Sequence, residues 1–414
     1  MKVCVIGSGI SGIAAVRALQ PHLPAHALHW ISEDPEAGGL WSPSSRNSRA
    51  YDALYLNTTR EQSAFTGRPI PAKTPVHYLH HSHYAAYLKE IAAECQGAER
   101  HWECQVTSVA RHPQGGWAVH WVNPDGSVSG AEFDAVVDAS GHTSEPRGPT
   151  VPVATNRTYA YTHSSAYRTP EPYRKAHVLV VGNGSSAVDI ASDLVATSAS
   201  VGISIRTPRW HLPKVAPERP VDHPVQGWLQ RTPLVGRIVA RIADSTVQRR
   251  LTDSYTHYGL PTPDRPLASS FPVLSDHFLS HLVHGRIRMY QRVTALGKET
   301  VQFGDGTAAR FDAVIAATGF RDSSPHLPAD VQQVLREGRL GLALQPPGGD
   351  GLFLMVRFRC GEAAVRCAEI QAAAVARAVC RPRFGTRSSP PGPASPVTSR
   401  ITVRTLEKVY GAYR

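Results

Sequence analysis

Two glycine-rich turns, each lying between an apolar strand and a helix, constrain this chain more than any other feature of its 414 residues. The first is Gly7-Ser8-Gly9-Ile10-Ser11-Gly12. It follows the buried-strand pattern Val3-Cys4-Val5-Ile6, opens a helix over 10–20 and precedes a second strand over 27–31. The second is Gly182-Asn183-Gly184-Ser185-Ser186-Ala187, which follows Val178-Leu179-Val180-Val181 and opens a helix over 185–197 that leads to a strand at 201–205. In such a turn the first glycine bends the chain, the second lets backbone approach a pyrophosphate, and the third lets helix and strand pack closely. The helix N-terminus then offers free N–H groups and partial positive charge to phosphate. A lone glycine pattern is weak evidence, but here each follows a strand and precedes a helix, the context a dinucleotide requires. The expected fold is therefore α/β, with two Rossmann-like dinucleotide-binding domains.

The cradle residues read from this pattern are Gly7, Gly9, Ser11 and Gly12 in the first unit, and Gly182, Gly184, Ser185 and Ser186 in the second. A carboxylate at the end of the second strand would hold a ribose hydroxyl. Glu33 and Asp34 are the candidates in the first unit, after His29-Trp30-Ile31-Ser32. In the second unit the strand ends Ser204-Ile205-Arg206-Thr207, with no acid and one arginine. A carboxylate there would repel a 2′-phosphate, whereas a guanidinium pairs with it, so Ser204 and Arg206 point to NADPH over NADH.

Composition removes several function classes. The formal net charge is +11, but residues 381–414 carry seven Lys or Arg against the single acid Glu407. Charge placed this way suits a solvated, flexible tail plus anionic cofactor sites, and no aromatic-interleaved basic stripe suggests nucleic acid. No apolar run approaches the roughly 18 residues that would span a membrane. The chain starts directly in a strand without a leader-like segment, so a cytosolic location is expected. None of the six cysteines (Cys4, Cys95, Cys104, Cys360, Cys367, Cys380) forms a C-x-x-C pair, so neither a zinc knuckle nor a redox dithiol is indicated, and reduced buried thiols are expected. His77, His80, His81 and His83 cluster like ligands, but without Cys or a clear acid they read as a solvated helix start. Trp210, His211 and Trp228, in the irregular stretch 208–272, read equally as pocket lining or as packing.

The order of further motifs resembles the class B flavin-containing monooxygenases over roughly residues 1–380. Gly38-Gly39-Leu40-Trp41 is similar to that family's segment along the flavin, and Leu56-Asn57-Thr58-Thr59-Arg60-Glu61 to its asparagine-bearing segment beside the flavin ring. Asp138-Ala139-Ser140-Gly141-His142 resembles the strand end returning to FAD, and Ala317-Thr318-Gly319-Phe320 the family's A-T-G-[YF] turn. His163 and Tyr167 match the end of the family's F-x-G-x-x-x-H-x-x-x-Y signature. There are departures: the family's ribose Glu falls on Ser32, with Glu33 one place on, and Arg157 and Tyr159 stand where the signature has Phe and Gly.

The resemblance implies FAD in the first cradle, contacted also by Gly39, Leu40, Trp41, Asn57, Thr58 and Gly141, NADPH in the second, and cofactor contacts from Thr318 and Gly319 of the A-T-G turn. It implies that one atom of O₂ is inserted into a small organic substrate, at a soft nitrogen or sulfur, through a C4a-hydroperoxyflavin. Asn57 is the expected catalytic group, holding the nicotinamide or the peroxide by its amide. The protein would orient the reactants and exclude water. His163 reads as structural, and Tyr167 and Arg168 as either NADP-side or surface residues. Baeyer–Villiger oxidation of a ketone is the alternative activity, although Tyr167 stands where those enzymes have Trp. A non-catalytic or redox-sensing flavoprotein is the alternative of another class. The expected domains are 1–165 and 301–380 for FAD, 166–300 inserted between them for NADP, and a basic tail 381–414. A homodimer is possible, and no membrane or nucleic-acid partner is expected.

Overall fold

The computed structural model describes residues 1–71, 76–143, 145–216, 219–220, 249, 252–253, 255, 258–267, 270, 272–337, 345–346, 350–355 and 363–380. The chain divides into two compact units, one made of 1–50, 60–145 and the chain from 320 onward, the other of 51–59 and 146–319.

In the first unit, β1 (Val3–Ile6), α1 (Ile10–Leu19), β2 (Leu28–Ile31), β3 (Glu99–His101) and β4 (Ala135–Asp138) follow one another along the chain. The parallel sheet has the order Leu352–Leu354, β4, β1, β2, β3. β1, β2 and β4 are buried at every position, which is why they read as continuous apolar runs rather than alternating ones. One face of the sheet is covered by α1, on which the helix Ala364–Cys380 packs. Ile13, Val16 and Leu19 of α1 are all 0% exposed; complete burial of such a side chain is worth about 2 kcal/mol. On the other face an antiparallel sheet of Gln105–Arg111, Trp117–Val122 and Val128–Phe133 seats Trp117, Trp121 and Phe133 against Cys4, Ile31 and Val136. Two strands meet at 133–135. Asp134 divides them, its carboxylate accepting the Lys2 backbone N–H, so Phe133 ends the antiparallel sheet and Ala135 enters the parallel one.

The second unit repeats the plan with β5 (Ala160–His163), β6 (His177–Val181), α2 (Ser185–Leu194), β7 (Ser200–Ser204), β8 (Ile287–Tyr290) and β9 (Ala313–Ala316). The sheet order is β8, β7, β6, β9, β5, all parallel. This compact unit runs from 146 to 319, wider than the expected 166–300. The physical reason is the ladder itself: β5 and β9, placed by the sequence reading in the first domain, hydrogen-bond along their lengths as strands of this sheet. The Phe and Gly of the family signature are replaced here to serve the same unit. Tyr159 is 7% exposed, packs with Leu179, Phe303 and Phe311, and donates from its hydroxyl to Gly297 O.

Among the described residues no helix is long and apolar enough to cross a membrane. The expected helix near 234–250 (apart from 249), Trp228 and the tail 381–414 lie outside the described residues. One expectation about the cysteines fails: Cys4, Cys95, Cys104 and Cys380 are free, but Cys367 is disulfide-bonded.

Candidate functional site

The two glycine turns have the same construction. Gly7 has φ +102° and Gly182 φ +148°, and the first donates its N–H to Ile31 O at 2.8 Å, the second to Ser204 O at 3.0 Å. Each turn is thus pinned to the strand beside it. A Cβ on Gly7 would meet the carbonyl of Ala139, and one on Gly182 the carbonyl of Ala317. Both obstacles are backbone at the end of the neighbouring strand on the other side, so no side chain can move aside to admit a methyl. In each turn the next helix is capped by glycine (Gly9, Gly184), with no side chain satisfying its first N–H groups and no acid in its first turn. Those orphan donors and the helix dipole face whatever binds the turn, which is a good match to a pyrophosphate.

In the first cradle Gly9 faces Gly39: a Cβ on Gly39 would approach Gly9 Cα to 2.8 Å. Gly38 donates its N–H to Ser8 O at 3.0 Å, so the Gly38–Trp41 segment lies across the turn. Trp41 stacks edge-on against Tyr84 at 5.4 Å, Leu40 is exposed, and Ser11 is half-buried at the start of α1. The buried Ser32, where the family has its ribose Glu, donates to Ser8 Oγ at 2.8 Å and so belongs to the turn's own scaffold. Of the two acids that follow, Asp34 is 6% exposed and accepts from Ser45 Oγ and the Arg46 N–H. It is committed to holding that loop. Glu33 is half-buried and accepts from the Asn47 amide, and burial together with Asp34 raises its pKa. Gly141, φ +91°, follows β4 with open space where its Cβ would stand.

The second cradle opens into a cleft of ≈ 300 Å³. Gly182 and Gly184 form its floor, and Arg147, Arg206 and Arg209 line it, with no carboxylate among the lining residues. Three guanidiniums and a helix N-terminus on one concave surface make an anion site with room for a phosphate beyond the pyrophosphate. Arg206 is where the sequence reading put it. Arg147 and Arg209 were missed; Arg209 had a signal, lying three residues beyond Arg206 in the same loop. Ser185 and Ser186 begin α2 as expected. Ser204, however, is 1% exposed, and its hydroxyl donates to Gln291 O at 2.8 Å and accepts from Val293 N at 3.1 Å. That side chain staples β7 to the chain leaving β8. Thr318 and Gly319 also line this cleft, where Thr318 Oγ1 donates to Arg147 O and Arg147 N donates to Gly319 O. His163 closes the turn, its Nε2 3.0 Å from Gly319 O, a contact within the second unit.

Asn57 and Thr58 lie on the segment 51–59 that packs within the second unit. Tyr51 donates to Asp189 at 3.4 Å, Asp52 N to Arg168 O at 2.8 Å, and Lys214 Nζ to Leu56 O at 3.3 Å. Burial pushes the Asp189 carboxyl up to about 6. Asn57 Oδ1 is buried without a hydrogen-bond partner. An unsatisfied buried amide oxygen is costly unless a ligand serves it. Tyr167 is buried and donates to Asp193 at 2.6 Å, so it packs the unit rather than lining an NADP face. Trp210 and His211 are each 1% exposed, with Trp210 Nε1 donating to Arg265 O at 2.8 Å, so they are packing residues. In the histidine cluster, His80 caps the helix His81–Ala93 by accepting from Ser82 N, as the helix-start reading requires.

The family model described as "Flavin-binding monooxygenase-like" matches residues 1–342. The N-oxide-forming dimethylaniline monooxygenase 2 of Rattus norvegicus is 31% identical over 364 residues, 84% of this chain and 66% of its own length. The chain thus spans slightly under two thirds of that relative. Among solved structures, the S-allyl-L-cysteine S-oxygenase of Allium sativum superposes with TM-score 0.62 at 20% identity, covering 100% of this chain and 81% of that one. An open form of cyclohexanone monooxygenase gives TM-score 0.66 at 15% identity, over 92% and 87% of the two chains. At these identities the structures speak to the fold, which they share. With both cradles in place and the family model matched from the first residue through β9, the chain belongs to the flavin-binding monooxygenase-like family, whose members use FAD and NADPH.

Proposed function

We propose that this protein is an NADPH-dependent flavin monooxygenase that adds one oxygen atom from O₂ to a soft nitrogen or sulfur of a small organic substrate. The observation that carries the reading is the pair of cradles of identical build, the second bearing three arginines and no acid. In this reading Gly7, Gly9, Ser11, Gly12, Gly39, Leu40, Trp41 and Gly141 hold FAD, with Glu33 on its ribose. Gly182, Gly184, Ser185 and Ser186 hold the NADPH pyrophosphate. Arg206, with Arg147 and Arg209, takes the 2′-phosphate. Ser204, Thr318 and Gly319 shape the second cleft through backbone and packing.

The flavin, once reduced by NADPH, supplies the O₂ chemistry. The chain's own work is to bind, orient and keep water out. Asn57 has one job in this scheme: its unsatisfied amide accepts a hydrogen bond from a bound reactant and fixes that reactant's position. A cytoplasmic location and a homodimer complete the reading.

The test is turnover of purified, FAD-loaded protein under isotopically labelled O₂, with dimethylaniline, an alkyl cysteine and cyclohexanone as trial substrates. The expected result is NADPH consumption well above that with NADH, and an N-oxide or S-oxide carrying one labelled oxygen. A labelled lactone as the only product would replace the proposal with Baeyer–Villiger oxidation. Protein that stays colourless and cannot take up FAD would replace it with a non-catalytic role.

A further inference from the structure

On the sheet face of the first unit opposite α1, three side chains converge that neither cradle uses. β2 and β3 run parallel with His29 opposite Glu99 and Ile31 opposite His101, which puts His29, Glu99 and His101 on one face of the strand pair. His29 Nδ1 is 3.1 Å from His101 Nε2, and Glu99 reaches His101 Nε2 at 3.4 Å and His29 Nε2 at 3.8 Å. The imidazole rings lie parallel at 5.3 Å. One ligand atom from each residue falls within 4.8 Å of the other two. We propose that His29, His101 and Glu99 form a binding site for a divalent transition-metal ion of the zinc class.

Geometry supports the ion. Zinc binds imidazole nitrogen at about 2.0–2.1 Å, so two nitrogens on one tetrahedral ion stand roughly 3.3 Å apart. The two imidazole nitrogens are already at nearly that spacing, held by strand backbone rather than by loops. Two imidazoles and one carboxylate also make a donor set suited to zinc, with a position left for water. A second observation is independent of the spacing. His29 is 6% exposed, and its second nitrogen, Nε2, on the side of Glu99, is buried with no hydrogen-bond partner, so Nδ1 and Nε2 are alternative ligand atoms for the one ion. Glu99 lies beyond hydrogen-bond range of that nitrogen, and its side chain, 52% exposed, is free to swing. The site is walled by Phe133, edge-on to His29 at 5.2 Å, and Trp121, 5.4 Å from His101. Such apolar walls hold ligands in place. Lys2 is the opposing charge, with its ammonium over Phe133 at 5.0 Å, and the Glu99 carboxylate offsets it. A bound ion would tie edge strand β3 to β2 by side chains as well as backbone.

The experiment uses tag-free protein as purified with its flavin, stripped with a chelator, desalted and titrated with Zn²⁺ in a calorimeter. Wild type should bind one tight equivalent, and Zn²⁺ should raise its melting temperature. His101→Ala should lose that equivalent and the thermal shift, while Glu99→Gln should bind roughly tenfold or more weakly. Surface histidines such as His80 and His83 contribute only weak background common to all variants. Wild type with no stoichiometric uptake overturns the proposal. So does equal uptake by His101→Ala with unchanged flavin absorbance and circular dichroism. Should His101→Ala fail to fold, the exposed Glu99→Gln decides: unchanged affinity there overturns the site.

Discussion

Alanine at the first and second glycines of the second turn should separate folding from cofactor binding. Gly184 sits at φ −100° and ψ 177°, a backbone any residue adopts, and a Cβ there meets nothing within 4 Å. The cost to the fold is only that of exchanging one N-cap residue for a poorer one, about 1 kcal/mol or less. Gly182 is at φ +148°, and a Cβ there meets Ala317 O, Ala317 C at 3.0 Å and Ala187 Cβ at 3.3 Å. Holding an L-residue in that region costs about 1–3 kcal/mol, and forcing a methyl into packed backbone about 1–3 more. Together that is roughly 2–6 kcal/mol, a large part of the ~5–15 kcal/mol that stabilises a typical domain. Urea unfolding should therefore show Gly182→Ala strongly destabilised and Gly184→Ala within about 1 kcal/mol of wild type. NADPH binding, followed by nicotinamide fluorescence, should nonetheless fall by roughly tenfold or more in Gly184→Ala, because the methyl occupies the space through which backbone meets the pyrophosphate. Equal destabilisation of the two variants, or wild-type NADPH affinity in Gly184→Ala, would refute the reasoning.

Three further outcomes are expected. Arg206→Gln should raise KM for NADPH about tenfold and leave NADH unchanged, the low end of a charge-assisted pair's ~1.5–3 kcal/mol because Arg147 and Arg209 remain; steady-state kinetics with both nucleotides checks it. Asp189 titrates near 6, up from an ordinary 3.8, because burial disfavours its charge; the folded state holds the extra proton, so its contribution is fully present below pH 4 and is lost as pH rises through 6. Asp189→Asn, which keeps an acceptor for Tyr51, should match wild type in acid and exceed it above pH 6 by up to roughly 3 kcal/mol in pH-resolved unfolding, and a pH-independent difference would contradict the assignment. Asn57→Ala should retain NADPH consumption but yield less oxygenated product per NADPH, and unchanged coupling would remove Asn57 from the reaction.

What the sequence revealed was what short stretches of chain determine alone. Val3–Ile6 and Val178–Val181, each followed by glycines and an amphipathic run, announce strand, turn and helix within some twenty residues, and both units are present as expected. Arg147 was not legible, because it reaches the cleft from the connection ahead of β5 and is held there by Gly319, far along the chain. Ser204 lines the second cleft, as its position at a strand end suggests, but the direction of its hydroxyl depends on Gln291 and Val293 and was not legible. The choice between Glu33 and Asp34 likewise waited on Ser45 and Arg46, which engage Asp34. Unit boundaries failed for the same reason: β5 and β9 join their sheet through pairings that no local pattern encodes.

The carbonyls of Ala139 and Ala317, which forbid a side chain at Gly7 and Gly182, immediately follow β4 and β9. β1 and β6 each have one neighbour close behind in the chain and another that is synthesised much later. During translation the strand–helix–strand half of each unit can assemble early, since its contacts are local. The far wall of its cradle does not yet exist. Until β9 emerges from the ribosome, Val178–Val181 keeps one apolar edge open to pairing with any passing strand, a hazard for the nascent chain. A fragment ending before Ala313 should therefore aggregate, whereas one carried through Gly319 encloses its own turn.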